Sequence, residues 1–229
     1  MILAKLRQRI SKVWAKAESG SREEESLLMR VIVTTVIATR VLSLANLKDL
    51  YDQGTPWRQN FMDLYLLLWL CGLCEMLARP TPRHWHGWIA AYYVLELCHY
   101  RVYFLFAKGW DDPWLLNKLR RSLTLALITT IQLVMAYATM FRVFARIGPP
   151  GLNPVKAALL TPTQALYFSA VTFTTVGFGD FVALDGNSQL LVMSELGAAI
   201  LTLALIIPLV LTGFAGGFHR QEKAHSSTK

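Results

Sequence analysis

The chain has 229 residues, 54% hydrophobic and only 17% charged, with 23 Lys and Arg against 15 Asp and Glu for a formal net charge of +8 at pH 7. A soluble domain carries more charge than that, and no nucleophile–base or metal constellation lies outside the apolar stretches, which excludes a soluble fold and an enzyme. The basic excess collects between those stretches, where positive-inside sorting and anionic lipid put it, so a nucleic-acid partner is excluded too.

The apolar blocks are Leu27 to Leu47, Phe61 to Ala78, Trp88 to Ala107, Leu123 to Ala145 and Leu190 to Thr212. Each is about 18 to 25 residues long, enough for a helix to cross roughly 30 Å of hydrocarbon. The fold class is therefore an all-α membrane protein, multi-pass and placed in the cell membrane, with lipid as a partner. Residues 1–26 hold Lys5, Arg7, Arg9, Lys12, Lys16 and Arg22, with Ile2, Leu3, Leu6, Ile10, Val13 and Trp14 on the other side. They read as an amphipathic cytoplasmic segment, with a solvated tail as the alternative, and no cleavable signal peptide is visible.

Residues 27–109 form the N-terminal helical region. Burying Arg40 of the first block in lipid costs about 2.5 to 3.5 kcal/mol, so it is expected to face protein, with Asp63, Glu75 and Glu96 as candidate partners. Together with His99 and Arg101 these groups resemble the polar interior of a voltage-sensor domain in reduced form. Arg101 and Lys108 are too few for strong voltage dependence, since one charge gains only about 2.3 kcal/mol per 100 mV. Cys71, Cys74 and Cys98 all lie inside apolar blocks, where packing roles are expected rather than a metal site.

Trp110-Asp111-Asp112-Pro113 breaks the pattern, and residues 110–122 read as an interfacial helix placed inside by Lys108, Lys118, Arg120 and Arg121. The pore domain is assigned to 123–218, with an outer helix at 123–146 and a turret and pore helix at 147–174. One inconsistency follows. A cytoplasmic N-terminus and a cytoplasmic linker require an even number of crossings between them, whereas three blocks intervene.

Thr161-Pro162-Thr163-Gln164 is a helix start, with Thr161 as N-cap, proline at the first position and Gln164 completing a capping box. A short apolar helix from Ala165 to Thr174 then leads into Thr174-Thr175-Val176-Gly177-Phe178-Gly179-Asp180. That run, at residues 175–180, resembles the selectivity filter of potassium channels. The resemblance implies that the carbonyls of Thr175, Val176, Gly177 and Phe178, with the Thr175 hydroxyl, hold potassium ions, and that Gly177 and Gly179 supply the positive φ this needs. Thr174, Asp180 and Tyr167 would support the loop. It also implies a re-entrant pore helix, a homotetramer of transmembrane helix bundles and no cofactor beyond the permeant K+.

The inner helix is expected over 189–214. Leu201 to Phe214 resembles the inner helix of voltage-gated potassium channels, with Pro208 at the second proline of their kink motif and hence the candidate gate. The family's hinge glycine falls at Ala199, and Gly197 is a displaced alternative or a packing residue. Glu195 is the helix's single charge and is expected to sit behind the filter rather than in the ion path. Residues 219–229 form a cytoplasmic tail, too short for the ligand-binding domains that many relatives carry.

Phe178 replaces the family's commoner tyrosine, and Tyr167 and Phe168 stand where many relatives carry two tryptophans, so a more loosely braced filter is expected. The function read here is passive, potassium-selective conduction. A weakly selective cation channel and a non-conducting membrane subunit are the alternatives.

Overall fold

A computed structural model describes residues 57–107 and 119–226. The basic N-terminus, the first block with Arg40, and the interfacial segment up to Lys118 lie outside them. The chain divides into two units, Met1–Met62 with His99–Asp112, and Asp63–Cys98 with Pro113–Lys229. The described part of the first unit is the opening of helix α1 (Trp57–Ala78) and the end of helix α2 (His84–Ala107). The second unit holds the rest of both helices and everything described from Leu119 on.

Pro80 and Pro82 stop α1 and force a tight connection, because proline cannot continue the helix ladder and restricts the residue before it. The result is a hairpin ahead of the next helix. These two helices cover the expected blocks Phe61 to Ala78 and Trp88 to Ala107, and neither is among the described helices long and apolar enough to cross a membrane. Helix α3 spans Leu119–Phe144 and starts four positions earlier than expected. Leu119, Arg120, Arg121 and Ser122 contain no breaker, so the stretch assigned to the linker becomes its first turn.

α3 lies at the centre of the second unit, packed on α4 (Pro162–Phe173) and α5 (Gly186–Ser226). Leu133, Ala136, Tyr137 and Phe141 are buried, and the Phe141 ring meets Phe168 of α4 edge-on at 5.0 Å. On the other side, Trp69 of α1 stacks on Tyr93 of α2 at 4.1 Å. The Tyr93 hydroxyl donates to Gln132 Oε1 (2.7 Å) and Gln132 Nε2 donates to the Leu66 carbonyl (2.6 Å), a buried polar string through three helices. Gly87 lets α2 approach α3, since a Cβ there would meet the Phe144 ring at 2.4 Å.

The acidic residues offered as partners for Arg40 have other partners here. Asp63 accepts from Arg121 at 2.8 Å, Glu75 pairs with Arg79 one turn on, and Glu96 accepts from the Tyr65 hydroxyl at 2.6 Å. Cys71 and Cys74 are exposed on α1, so the packing role expected of them is not filled within this chain.

The fold is mostly helical, with two short strands that the all-α reading lacked. β1 (Ile147–Gly148) pairs antiparallel with β2 (Val182–Ala183), Ile147 opposite Ala183. A two-residue strand carries no periodicity, which is why the sequence hides it. α5 begins at Gly186, not Gln189, because Asp185 caps it, its carboxylate accepting from Ser188 N at 2.8 Å. It runs to Ser226, through most of the expected tail, as Arg220, Gln221, Glu222 and Lys223 all favour helix. Among the described residues, Arg121–Phe144 and Gly186–Pro208 are long and apolar enough to cross a membrane.

Candidate functional site

The site begins with the cap of α4. Thr161 is extended, its Oγ1 accepts from Gln164 N at 3.2 Å, and the Gln164 side chain accepts from Thr161 N at 3.0 Å. This closes the expected capping box and fixes the helix register with Pro162 at its first position. At twelve residues the helix is too short to span a bilayer.

Its other end is a Schellman closure. Thr174 is the C-cap, Thr175 N–H bonds to the Thr172 carbonyl (3.0 Å), and Val176 N–H reaches back to the Val171 carbonyl (3.1 Å). Thr174 Oγ1 also donates to the Ala170 carbonyl at 2.7 Å, so Thr174 secures the helix end. The closure requires left-handed backbone at Thr175, whose φ is +58°. Threonine is there at a steric cost of about 1 to 2 kcal/mol, against the glycine usually found at this position.

Gly177 (φ +57°) and Gly179 (φ +79°) repeat the left-handed conformation, while Val176 and Phe178 between them do not. In an ordinary strand successive carbonyls face opposite ways. Positive φ at every second residue turns alternate peptide planes over, so that neighbouring carbonyls face one side, and glycine allows this without strain. Gly177 and Gly179 have the positive φ expected of them, Thr175 has it without having been expected to, and residues 174–180 are all exposed in the single chain.

The loop is held from behind and from its exit. Tyr167 stacks on Phe178 (6.4 Å between rings, 3° apart) and meets Phe181 edge-on. Its hydroxyl bonds Asp180, and that carboxylate holds the phenol above the ordinary tyrosine range. Beyond Asp180, strand β2 pairs with β1, and Leu184 N donates to the Arg146 carbonyl at 2.9 Å. Arg146 N donates to Ser188 Oγ at 2.7 Å, and the Arg146 guanidinium lies 3.8 Å from Asp185. The segment after the loop is thereby stapled to the end of α3.

Three further polar residues are buried in this unit, of which Arg142 and Ser169 went unread in the sequence. Arg142, 4% exposed, donates to the carbonyls of Leu160 (2.9 Å), Leu77 (2.5 Å), Arg79 (2.9 Å) and Pro80 (3.4 Å). One guanidinium therefore closes the end of α1 and the approach to α4 together. Ser169 of α4 is fully buried and contacts both Val134 O and Glu195 Oε1. Glu195 has no exposed surface and lies against Ser169 of the helix that leads into the loop. A lone arginine in the last turn of α3 was the one visible signal for Arg142, since that is where a cation caps carbonyls. What Ser169 touches depends on which helices meet.

Along α5 the gate candidates stand apart from the loop. Gly197 is exposed and a Cβ on it would meet nothing, so it is no close-packing point within the chain. The helix continues through Pro208, which supplies no N–H to the Ala204 carbonyl.

Residues 128–213, from α3 through α4 and the loop into α5 beyond Pro208, match a family model described as ion channel, which is not an enzyme family. No curated protein and no solved structure matches the chain. With two helices long and apolar enough to span a bilayer, the match supports an ion-channel pore domain in a membrane protein.

Proposed function

We propose that the protein is a potassium-selective channel of the cell membrane, in which four copies surround one conduction path. The observation that carries this reading is the recurrence of positive φ at Thr175, Gly177 and Gly179 within Thr-Thr-Val-Gly-Phe-Gly-Asp, behind a capped helix too short to span. A single chain offers one line of carbonyls, and a cation that sheds its water needs a ring of them. Closed rotational symmetry supplies the ring. The exposure of Val176 (55%) and Phe178 (69%) in the isolated chain accords with surfaces that neighbouring copies cover.

Membrane sidedness follows from the same parts. Arg120 and Arg121 at the start of α3 belong inside, which puts its end at Phe144, the turret and the α1–α2 connection outside. Arg142 bonds carbonyls on both sides of that external junction. Conduction is passive and not strongly voltage-dependent, because the described helices carry no ladder of arginines.

Purified protein in liposomes tests the reading. Potassium flux that barium or quaternary ammonium blocks, with sodium passing far less readily, is the expected result. Equal passage of sodium and potassium would replace it with a weakly selective cation channel, and absence of any flux would leave a non-conducting membrane subunit. Crosslinking in the bilayer should give a tetramer, and a monomer would end the reading.

A further inference from the structure

Ser169 Oγ lies 2.8 Å from the Val134 carbonyl oxygen and 2.5 Å from Glu195 Oε1. Both are hydrogen-bonding distances, but a serine hydroxyl owns one hydrogen and a carbonyl owns none. If Ser169 gives its hydrogen to Glu195, two bare oxygens face each other at Val134. If Ser169 gives it to Val134, the contact with Glu195 needs a second hydrogen, and only the carboxyl can provide it. Glu195 Oε2 has no hydrogen-bond partner among the described residues and no exposed surface, so a charge shared onto that atom would be buried and unanswered.

We propose that Glu195 is a neutral carboxylic acid with its proton on Oε1, and that the chain Glu195 O–H to Ser169 O–H to Val134 O=C is a pH-sensitive clasp joining α5, α4 and α3 behind the filter. Glu195 is a positioning residue, since it touches the helix that leads into the loop and not the permeant ion. Loss of its proton removes the donor that starts the chain and leaves an anion that must draw in water. Ser169, with its one hydrogen, can then hold either the carboxylate or the Val134 carbonyl and not both, so the helix carrying Ala170 to Thr174 loses one of the two ties and the filter loosens. Alkaline conditions therefore lower conduction, and neutral or acid conditions preserve it.

No other charged group competes at this spot. On α3, Arg142 is committed to the carbonyls of Leu160, Leu77, Arg79 and Pro80. On α4 and the loop, Tyr167 and Asp180 bond each other, and Asp185 is held by Ser188 with Arg146 beside it. On α5 itself the neighbouring Ser194 donates to the Leu191 carbonyl. No Lys, Arg, His or second carboxylate acts on Glu195 among the described residues.

The regulatory part rests on the channel reading, so the test has two arms that fail separately. Infrared difference spectra of the full chain in lipid, wild type against Glu195→Gln, read the proton directly whether or not the protein conducts. A protonated-carboxyl band present at neutral pH and missing in Glu195→Gln is expected, shifted in Ser169→Ala because its acceptor has gone. No such band at neutral pH overturns the clasp. In potassium flux, wild type should lose conduction severalfold from neutral to alkaline pH. Glu195→Gln, whose amide can donate to Ser169 at every pH, should lose that response. A pH response that Glu195→Gln retains unchanged overturns the regulatory role. Flux absent from both proteins refutes the channel reading, and the infrared arm still decides the clasp.

Discussion

Arg142 Nε donates to the Leu160 carbonyl at 2.9 Å, joining the last turn of α3 to the residue that precedes the N-cap of α4. The rest of the guanidinium closes carbonyls at the end of α1, so a single buried side chain holds two structures that are far apart in sequence. Carbonyls at a helix end must find donors when buried, and a planar group with five N–H bonds can serve several at once.

Removal of that group should be costly. Arg142→Ala leaves those carbonyls without donors, and each hydrogen bond to a charged group is worth about 1.5 to 3 kcal/mol. Loss of more than one such bond predicts a marked fall in thermal stability of the assembled protein in detergent. Arg142→Lys should recover only part of it, because an ammonium cannot reproduce the fork. A melting temperature within error of wild type for Arg142→Ala would show that the clamp contributes nothing.

The glycines of the loop make a sharper case. Alanine at Gly177 or Gly179 must adopt positive φ at a cost of about 1 to 2 kcal/mol, or else turn its carbonyl away from its neighbours. Space is not the obstacle, since a Cβ at either position meets nothing within the chain. Gly177→Ala should therefore abolish potassium flux while helix content and melting temperature stay close to wild type. Normal selective flux through Gly177→Ala would remove the backbone argument for the site.

How much of this was legible beforehand follows the range of each interaction. The capping box at Thr161 and Gln164, the short helix and the glycines of the loop are local patterns, and the chain spells them out residue by residue. Ser169, Arg142 and Gly87 depend on which helix surfaces meet, which no local period encodes. Gly87 looks like an ordinary helix glycine until Phe144 and Val143 are found against it. Glu195 was recognisable as an anomaly, one charge in an apolar helix, but its partner lies on another element. The crossing count came out inconsistent for a related reason, because hydrophobic length says that a segment is able to span and not that it does.

Gly87 offers a direct test of helix approach. A methyl group there would fall 2.4 Å from the Phe144 ring and 2.8 Å from Val143 Cγ1, well inside contact distance. Overpacking of this kind costs about 1 to 3 kcal/mol, partly relieved if the rings rotate. Gly87→Ala should lower the unfolding midpoint of the helical protein, and Gly87→Ala with Phe144→Leu should restore some of it. Additive losses in the double variant would show that the two positions do not touch.

The start of α5 should respond to acid with a definite sign. Bonds from Ser188, with a smaller contribution from Arg146, hold the Asp185 carboxyl below the usual carboxylate range. A group whose folded pKa is depressed stabilises the fold fully above its unfolded pKa and loses that contribution as pH falls through the folded value. The cap thus holds at neutral pH and weakens only in distinctly acid solution. Asp185→Asn keeps an N-cap oxygen and should flatten the acid response, whereas Asp185→Ala should cost about 1 kcal/mol at neutral pH and less as acid weakens the wild-type cap. Amide exchange at Ser188, compared among the three proteins at matched pH, reads the cap.

Tyr167 is the remaining brace on the proposed filter, which lacks a tyrosine of its own at Phe178. The phenol donates to Asp180 while its ring stacks on Phe178, so one side chain holds both the exit carboxylate and the bulky residue between the glycines. Tyr167→Phe removes the hydroxyl and leaves the stack, which isolates the hydrogen bond. On the proposed function, potassium ions in the loop would also hold the carbonyls apart, so the bond should matter most when those ions are scarce. Current through Tyr167→Phe should decline faster than wild type when external potassium is lowered and match it when potassium is high. The raised phenol adds a pH sign. A neutral donor whose folded pKa lies above the free value is intact below the ordinary tyrosine range of about 10 and is lost as pH rises through the folded value. Wild type in low potassium should therefore keep its advantage over Tyr167→Phe across the neutral range and converge with it only in strong alkali. Equal rates of decline in low potassium at neutral pH would mean that the hydroxyl does not brace the loop.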